Sequence, residues 1–235
     1  MEHTESLETI NRFIEIDRNA GLGRLSRGIV HTLNNVMTAV LGQVDLLSLN
    51  PHSTPLQDDL KKILKSCEEG TGLMRNLTLV IHSLQGDESM DAGELTSAML
   101  DVFERIFHRF EIPIDRHIPA QVGELNNTPG FAQAVFHTLQ VGFYTERSGA
   151  APNKRLACSI RCLPDGIKLD ITTFSGRISV PDLEVIELSY PPAFDSVAYH
   201  LWIVDRVCRN FSRWEISDNL KSLSLSWFGI NNREP

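Results

Sequence analysis

His31 lies in residues 23–42, which read Gly-Arg-Leu-Ser-Arg-Gly-Ile-Val-His-Thr-Leu-Asn-Asn-Val-Met-Thr-Ala-Val-Leu-Gly. An imidazole changes charge near neutral pH, so an accessible one can offer a ring nitrogen to a partner. Counting by threes and fours from His31 collects Arg24, Arg27, Gly28, Asn34, Asn35, Thr38, Gly42 and Asp45, a stripe of small or polar residues. Leu22, Leu25, Ile29, Leu33, Val36, Val40, Val44 and Leu47 form a separate apolar stripe. This spacing predicts a helix with His31 on its solvent face. Gly28, one turn earlier, leaves room for close approach at a helix cost of about 1 kcal/mol relative to alanine. An exposed helical histidine is ordinarily a solvated surface residue, and it is the order of its neighbours that gives this one a chemistry.

That order resembles the phospho-acceptor helix of sensor histidine kinases, in the subgroup whose motif reads His-Asp-Phe-Asn-Asn. The resemblance runs over some twenty positions without a gap and implies that His31 is the phospho-acceptor. Active kinases of the group carry an acidic residue directly after the acceptor, which makes the ring a better nucleophile. Here that place holds Thr32, whose hydroxyl is no base near neutral pH. Asn34 and Asn35 keep the paired asparagines, and Asn35 falls where the family orients water against an acyl phosphate. Arg27, Thr38, Gly42 and Asp45 are the expected docking surface for a partner.

The elements that must hold this helix are readable in order. Leu7, Ile10, Phe13, Ile14 and Ile16 have helical spacing and can feed into the histidine helix, with Gly21 and Gly23 loosening the join. The helix reaches about Leu49, where Asn-Pro-His-Ser-Thr-Pro over 50–55 is a turn signal. A second helix over 56–84 repeats Leu60, Ile63, Leu64, Cys67, Leu73, Met74, Leu77, Ile81 and Leu84 at threes and fours, as an antiparallel partner would. Two helices cannot bury both apolar faces, so a homodimer forming a four-helix bundle is expected. The pattern breaks near 85–89, dividing the chain into a helical-hairpin dimerisation and phospho-acceptor domain, 1–86, and an α/β domain, 90–235. In the second domain a helix capped by Asp91 buries Leu95, Met99, Leu100, Val102, Phe103 and Ile106. A strand over 111–118, a helix over 128–144, strands over 156–162 and 167–173 turned by Pro164-Asp165-Gly166, a helix over 197–210 and a strand over 220–228 follow.

This succession resembles the ATP-binding α/β sandwich of histidine kinases and the wider GHKL ATPase superfamily, so the fold class expected is α+β. The residues that handle nucleotide in that family are replaced here. Its Gln-x-x-x-Asn-x-x-x-Asn frame aligns with Gln133, His137 and Val141, and valine offers no oxygen to the magnesium ion the last asparagine coordinates. Its adenine-binding Asp-x-Gly-x-Gly aligns with Thr173, Ser175 and Arg177, which loses the close backbone approach that glycine permits. Its phosphate-binding Gly-x-Gly-Leu aligns with Ala198, Tyr199, His200 and Leu201, and the lid over 178–197 is short. No cofactor is therefore expected. His137 and His200 are read as packed or hydrogen-bonded groups, and Tyr199 and Trp202 as fillers.

The rest of the composition narrows the partners. The chain of 235 residues is 42% hydrophobic with a net charge of -8. This surplus of acid argues against nucleic acid or an anionic membrane as partner. No apolar run is long enough to span a bilayer. Cys67, Cys158, Cys162 and Cys208 are scattered and without a Cys-x-x-Cys pair, as expected of free thiols in the cytoplasm, with Cys158 and Cys162 packed on one sheet face. Together these features predict a histidine phosphotransferase of a two-component phosphorelay, passing phosphate between His31 and the aspartates of response-regulator receiver domains, which bring their own magnesium. The alternatives are a receiver phosphatase that uses Asn35, or a pseudokinase scaffold that binds a receiver without moving phosphate.

Overall fold

Helix α1 (Glu2–Leu49) runs unbroken through Gly21 and Gly23. In the computed structural model the described residues are 2–49, 56–86, 89–107, 110–178, 196–209, 212–217, 219–228 and 230–231. Packing holds only the first of these glycines: Gly21 is buried and shares the wall of a small cavity with Leu84, whereas Gly23 is exposed with nothing within 4 Å of where a Cβ would sit. Leu84 belongs to α2 (Leu56–Gln85). Further along, Gly70 lets Val36 in so closely that a Cβ there would lie 3.0 Å from Val36 Cγ1. The two contacts fix an antiparallel hairpin, as the matching apolar repeats predict.

The hairpin's base continues into the α/β region. Leu73, Leu77, Val80 and Leu84 belong to the same buried cluster as the inward residues of α3 (Ala92–Phe107) and α4 (Thr128–Ser148). Helix α3 starts at Asp91, whose carboxylate accepts from the backbone N–H of Gly93 (2.8 Å) and Glu94 (3.1 Å). Its other oxygen accepts from Val122 (2.9 Å) and Gly123 (2.7 Å), so one cap also fastens the loop ahead of α4. Leu95, Met99, Leu100, Val102 and Phe103 are buried as the pattern predicts, and the side chain of Ile106 lies outside the described residues. Helix α4 is capped by Asn127, which accepts from Gly130 N at 3.1 Å.

The sheet takes β1 (Ile114–His117), β3 (Leu156–Leu163), β4 (Gly166–Thr173), β6 (Ser222–Phe228) and β5 (Ser212–Ile216) in that spatial order. Only β1 and β3 are parallel. A two-stranded ribbon pairs β2 (Glu124–Leu125) with β7 (Ile230–Asn231). Neither β5 nor the ribbon is among the expected strands: on β5 the exposed Arg213 and Glu215 do alternate with Trp214 and Ile216, a period-two signal but over only five residues, and the ribbon strands are two residues long. Alternation decides which sheet face the helices cover. Cys158, Ile160, Leu169, Ile171, Leu223, Leu225 and Trp227 are buried, while Ser159, Lys168, Asp170, Thr172, Ser222 and Ser226 stay half exposed. Helix α4 lies on the apolar side, with Phe131 edge-on to Trp227 (centroids 5.4 Å apart), and α5 (Val197–Cys208) packs beside it. Cys162 departs from expectation. Its register partner is Ile167, near the tip of the β3–β4 turn, and there it is exposed while Cys158 is fully buried.

Among the described residues no helix is long and apolar enough to cross a membrane. The tightest contact between helix and sheet is at Gly142, where a Cβ would fall 2.6 Å from Ile171 Cγ2 and 3.3 Å from Leu156 Cδ2. Gly142→Val should cost about 1–3 kcal/mol by overpacking, read as a lower urea midpoint with an unchanged denaturant slope.

Candidate functional site

Helix α1 presents two different surfaces along its length. In its C-terminal half Leu33, Val36, Val40 and Leu47 are half-buried. Val44, expected in that stripe, is 43% exposed, because one partner helix cannot cover an apolar face this wide. Asn34, Asn35, Thr38, Gly42 and Asp45 are all exposed, so the polar stripe expected for docking lies open on one helix. The Thr38 hydroxyl donates back to the Asn34 carbonyl at 2.8 Å, and no heavy atom lies within 4 Å of where a Cβ on Gly42 would sit. Position 31 is inside the helix, and the side chains of Arg27, His31 and Thr32 lie outside the described residues.

The N-terminal half docks onto α4 and α5. Phe13 meets Trp202 edge-on with centroids 6.1 Å apart, and Ile14 also packs against the main core. Ile16 points away and is 54% exposed. Between these apolar contacts sits Asp17, only 2% exposed. Its Oδ2 lies 2.7 Å from His137 Nε2 and accepts from Gln133 Nε2 at 3.0 Å, while Tyr199 Oη donates to its Oδ1. Gln133 Nε2 also reaches the carbonyl of Ile14 (3.1 Å), tying the helix backbone itself to α4. His137 Nδ1 stands 2.8 Å from His200 Nδ1, and both rings are fully buried. Burial pushes the Asp17 pKa up, but the hydrogen bond and charge of His137, then the hydrogen bonds of Tyr199 and Gln133, overcome it and hold the carboxyl well below the usual range. An ionised carboxylate only accepts, so His137 Nε2 carries a proton, and a single proton is shared between the two facing Nδ1 atoms.

Asp17 carries a signal in the sequence that is separate from the chemistry around His31. Ile10, Phe13, Ile14, Asp17 and Gly21 share one helix face, so an acid stands where an apolar residue is expected. Such a residue is tolerated only when donors meet it, and those donors come from α4 and α5, far along the chain. His137 and His200 are hydrogen-bonded, as expected. Tyr199 does more than fill space, because its hydroxyl reaches Asp17.

The other nucleotide-motif positions, Arg177 excepted, are likewise engaged within the fold. Val141 is fully buried in a small apolar cluster with Ile178, Leu201 and Leu223. The Thr173 hydroxyl sits 3.0 Å from the Gly176 carbonyl and 3.1 Å from that of Lys221. Ser175 gives its hydroxyl to Glu146 Oε1 at 2.6 Å, and that buried carboxylate also accepts from the N–H groups of Arg155, Phe174 and Ser175. Burial raises the Glu146 pKa and the Ser175, Arg155 and Phe174 bonds lower it, with a net downward shift. The turn after β4 is pressed so firmly onto α4 that a Cβ on Gly176 would lie 1.8 Å from the Thr145 carbonyl. Arg177 is exposed. The lid expected over 178–197 falls largely on residues outside the described set. Among the described residues there is no group of His, Cys, Asp and Glu placed to hold a metal ion.

No protein-family model and no curated protein matches the chain. Solved structures that it is similar to include the nucleotide-free catalytic domain of histidine kinase ThkA, 13% identical over 60% of this chain and 95% of that one (TM-score 0.46). A bacterial phosphotransferase is 14% identical over 87% of this chain and 94% of that one (TM-score 0.45). The Acinetobacter baumannii histidine kinase AdeS is 14% identical over 86% of this chain and 98% of that one (TM-score 0.40).

Removing the buried acid strands the donors of His137 and Tyr199. Asp17→Ala should therefore lower stability by about 3 kcal/mol at pH 7. Because the folded-state pKa of Asp17 is depressed, its contribution is present in full above the unfolded carboxylate value, about 4, and is lost as pH falls below it. Urea midpoints measured from pH 7 down to 3 should show the gap between wild type and Asp17→Ala narrowing below about pH 4.

Proposed function

We propose that the chain is a histidine phosphotransferase of a two-component phosphorelay and that it works without ATP. The observation that carries this reading is a division of labour along the chain. The polar stripe beside position 31 is open, whereas Gln133, His137, Val141, Thr173, Ser175 and Tyr199 at the nucleotide-motif positions are engaged inside the fold. Magnesium–ATP does not fit this donor set: Val141 has no oxygen and lies among aliphatic side chains, and Thr173, Ser175 and Tyr199 have their hydroxyls on internal partners.

In the transfer a ring nitrogen of His31 attacks the phosphorus of a receiver's aspartyl phosphate. The P–N bond forms as the P–O bond breaks, the aspartate leaves as a carboxylate, and a ring proton passes to solvent. The receiver supplies the acid and its magnesium ion, so this chain need only hold an imidazole in line. Thr32, which cannot activate the ring as a base, is consistent with an acceptor that takes phosphate from an already activated donor. A second reading rests on Asn35, which is exposed one turn beyond position 31 and could orient water against the same aspartyl phosphate.

The working unit is a homodimer. Val30, Met37, Leu41 and Val44 on α1 are each at least 43% exposed, as are Leu60 and Leu64 on α2. Their spacing of sevens, fours and threes is that of helical-bundle seams, which a second copy of the hairpin would cover.

Receiver domains loaded with acetyl phosphate should pass acid-labile label to the wild-type chain and not to His31→Ala, and labelled ATP should leave the wild type unlabelled. If ATP labels His31, the reading is wrong. Asn35→Ala should keep transfer within about threefold if transferase is correct, whereas loss of receiver dephosphorylation without any labelled histidine would establish the phosphatase instead. Leu41→Asp combined with Leu64→Asp should convert the dimer to a monomer in sedimentation velocity.

A further inference from the structure

We infer that Asp17 is a positioning residue for phosphoryl transfer, fastening the acceptor helix to the α/β region so that position 31 is presented in one orientation. The inference rests on the transferase reading. Helix α1 is continuous from Asp17 to position 31. At about 1.5 Å and 100° per residue, position 31 lies about 21 Å further along the axis and within about 40° of the same azimuth. A constraint on rotation or sliding at Asp17 is therefore carried to position 31 with little loss, because a helix is stiff over so short a span.

The anchor resists both movements. His137 and Gln133 from α4 and Tyr199 from α5 meet Asp17 from two elements, and the Ile14 carbonyl adds a backbone bond one turn earlier. Rotation of α1 by one residue would take the carboxylate off all three donors. A sliding movement would also break the Phe13–Trp202 contact. An apolar residue at position 17 could supply adhesion but no such register, since apolar contact is non-directional and hydrogen bonds are not. His200 supports the arrangement at one remove: its ring faces His137 at Nδ1 and stacks on Tyr144, with centroids 5.6 Å apart and planes 9° from parallel.

Two measurements on the full-length chain test this. The first is amide hydrogen exchange, which needs no receiver. In Asp17→Ala, exchange over residues 9–21 should accelerate at least tenfold, while the sheet strands keep their wild-type protection. The second is the rate of transfer from acetyl-phosphate-loaded receivers over a range of receiver concentration. The saturating rate should fall about tenfold with the half-saturating concentration unchanged, since the exposed docking stripe is untouched. Asp17→Asn, which keeps an acceptor for Tyr199, should recover part of that rate. If Asp17→Ala does not fold, Tyr199→Phe removes one donor alone and should show the same pattern at about threefold. Faster exchange over 9–21 with an unchanged saturating rate would overturn the positioning role and leave the transferase reading standing. A wild-type chain that no receiver phosphorylates would overturn both.

Discussion

The buried carboxylate of Asp17 is the constraint on which the arrangement of the molecule turns. A lone charge in this position would be strongly unfavourable, and only a full set of donors makes it compatible with folding. Those donors come from α4 and α5, so the requirement that Asp17 be satisfied is at once a requirement that the first helix lie on the α/β region in a single register. Apolar contacts of Phe13 and Ile14 supply adhesion one turn before it. The same docking places Gln133 and His137, two positions of the nucleotide-motif frame, against helix α1.

The remainder of that frame follows a consistent physical pattern. Apart from the exposed Arg177, each of its described positions turns its polar groups inward or carries a hydrocarbon. Val141 joins Ile178, Leu201 and Leu223; Thr173 bonds carbonyls of its own turn and of the neighbouring strand; and Glu146 gathers the backbone N–H groups that follow β4. The result is a region held by internal hydrogen bonds. Its helices give α1 a rigid seat, and the sheet beneath gives those helices theirs.

The distal half of the hairpin obeys the opposite logic. There the apolar residues outnumber what one partner helix can cover, and the polar stripe of Asn34, Asn35, Thr38 and Asp45 stays open. In the proposed function the exposed apolar residues meet a second copy of the hairpin and the polar stripe meets the receiver. One continuous helix thus joins a seat fixed by buried hydrogen bonds to an exposed surface of polar and apolar stripes.

The sequence by itself determined most of the elements whose signal is local. The helix ends near Leu49, the paired helix from Leu56, the Asp91 cap, the turn at Pro164-Asp165-Gly166 and the two-residue alternation of β3 and β4 all follow from periodicity, capping and turn chemistry within a few residues. The acceptor-like run at 23–42 and the altered nucleotide motifs are legible for the same reason, being fixed spacings in a short window. Only the tertiary structure decided what residues 9–21 do, that Cys162 is exposed while Cys158 is buried, and that β5 and the β2–β7 ribbon form. The role of residues 9–21 and the β2–β7 ribbon depend on groups separated by long stretches of chain, whereas β5 pairs with its neighbour β6 and Cys162 sits at the tip of its own hairpin. Asp17 reads in isolation as an acid out of place, and its meaning comes from His137 and Tyr199, which folding brings to it across more than a hundred residues.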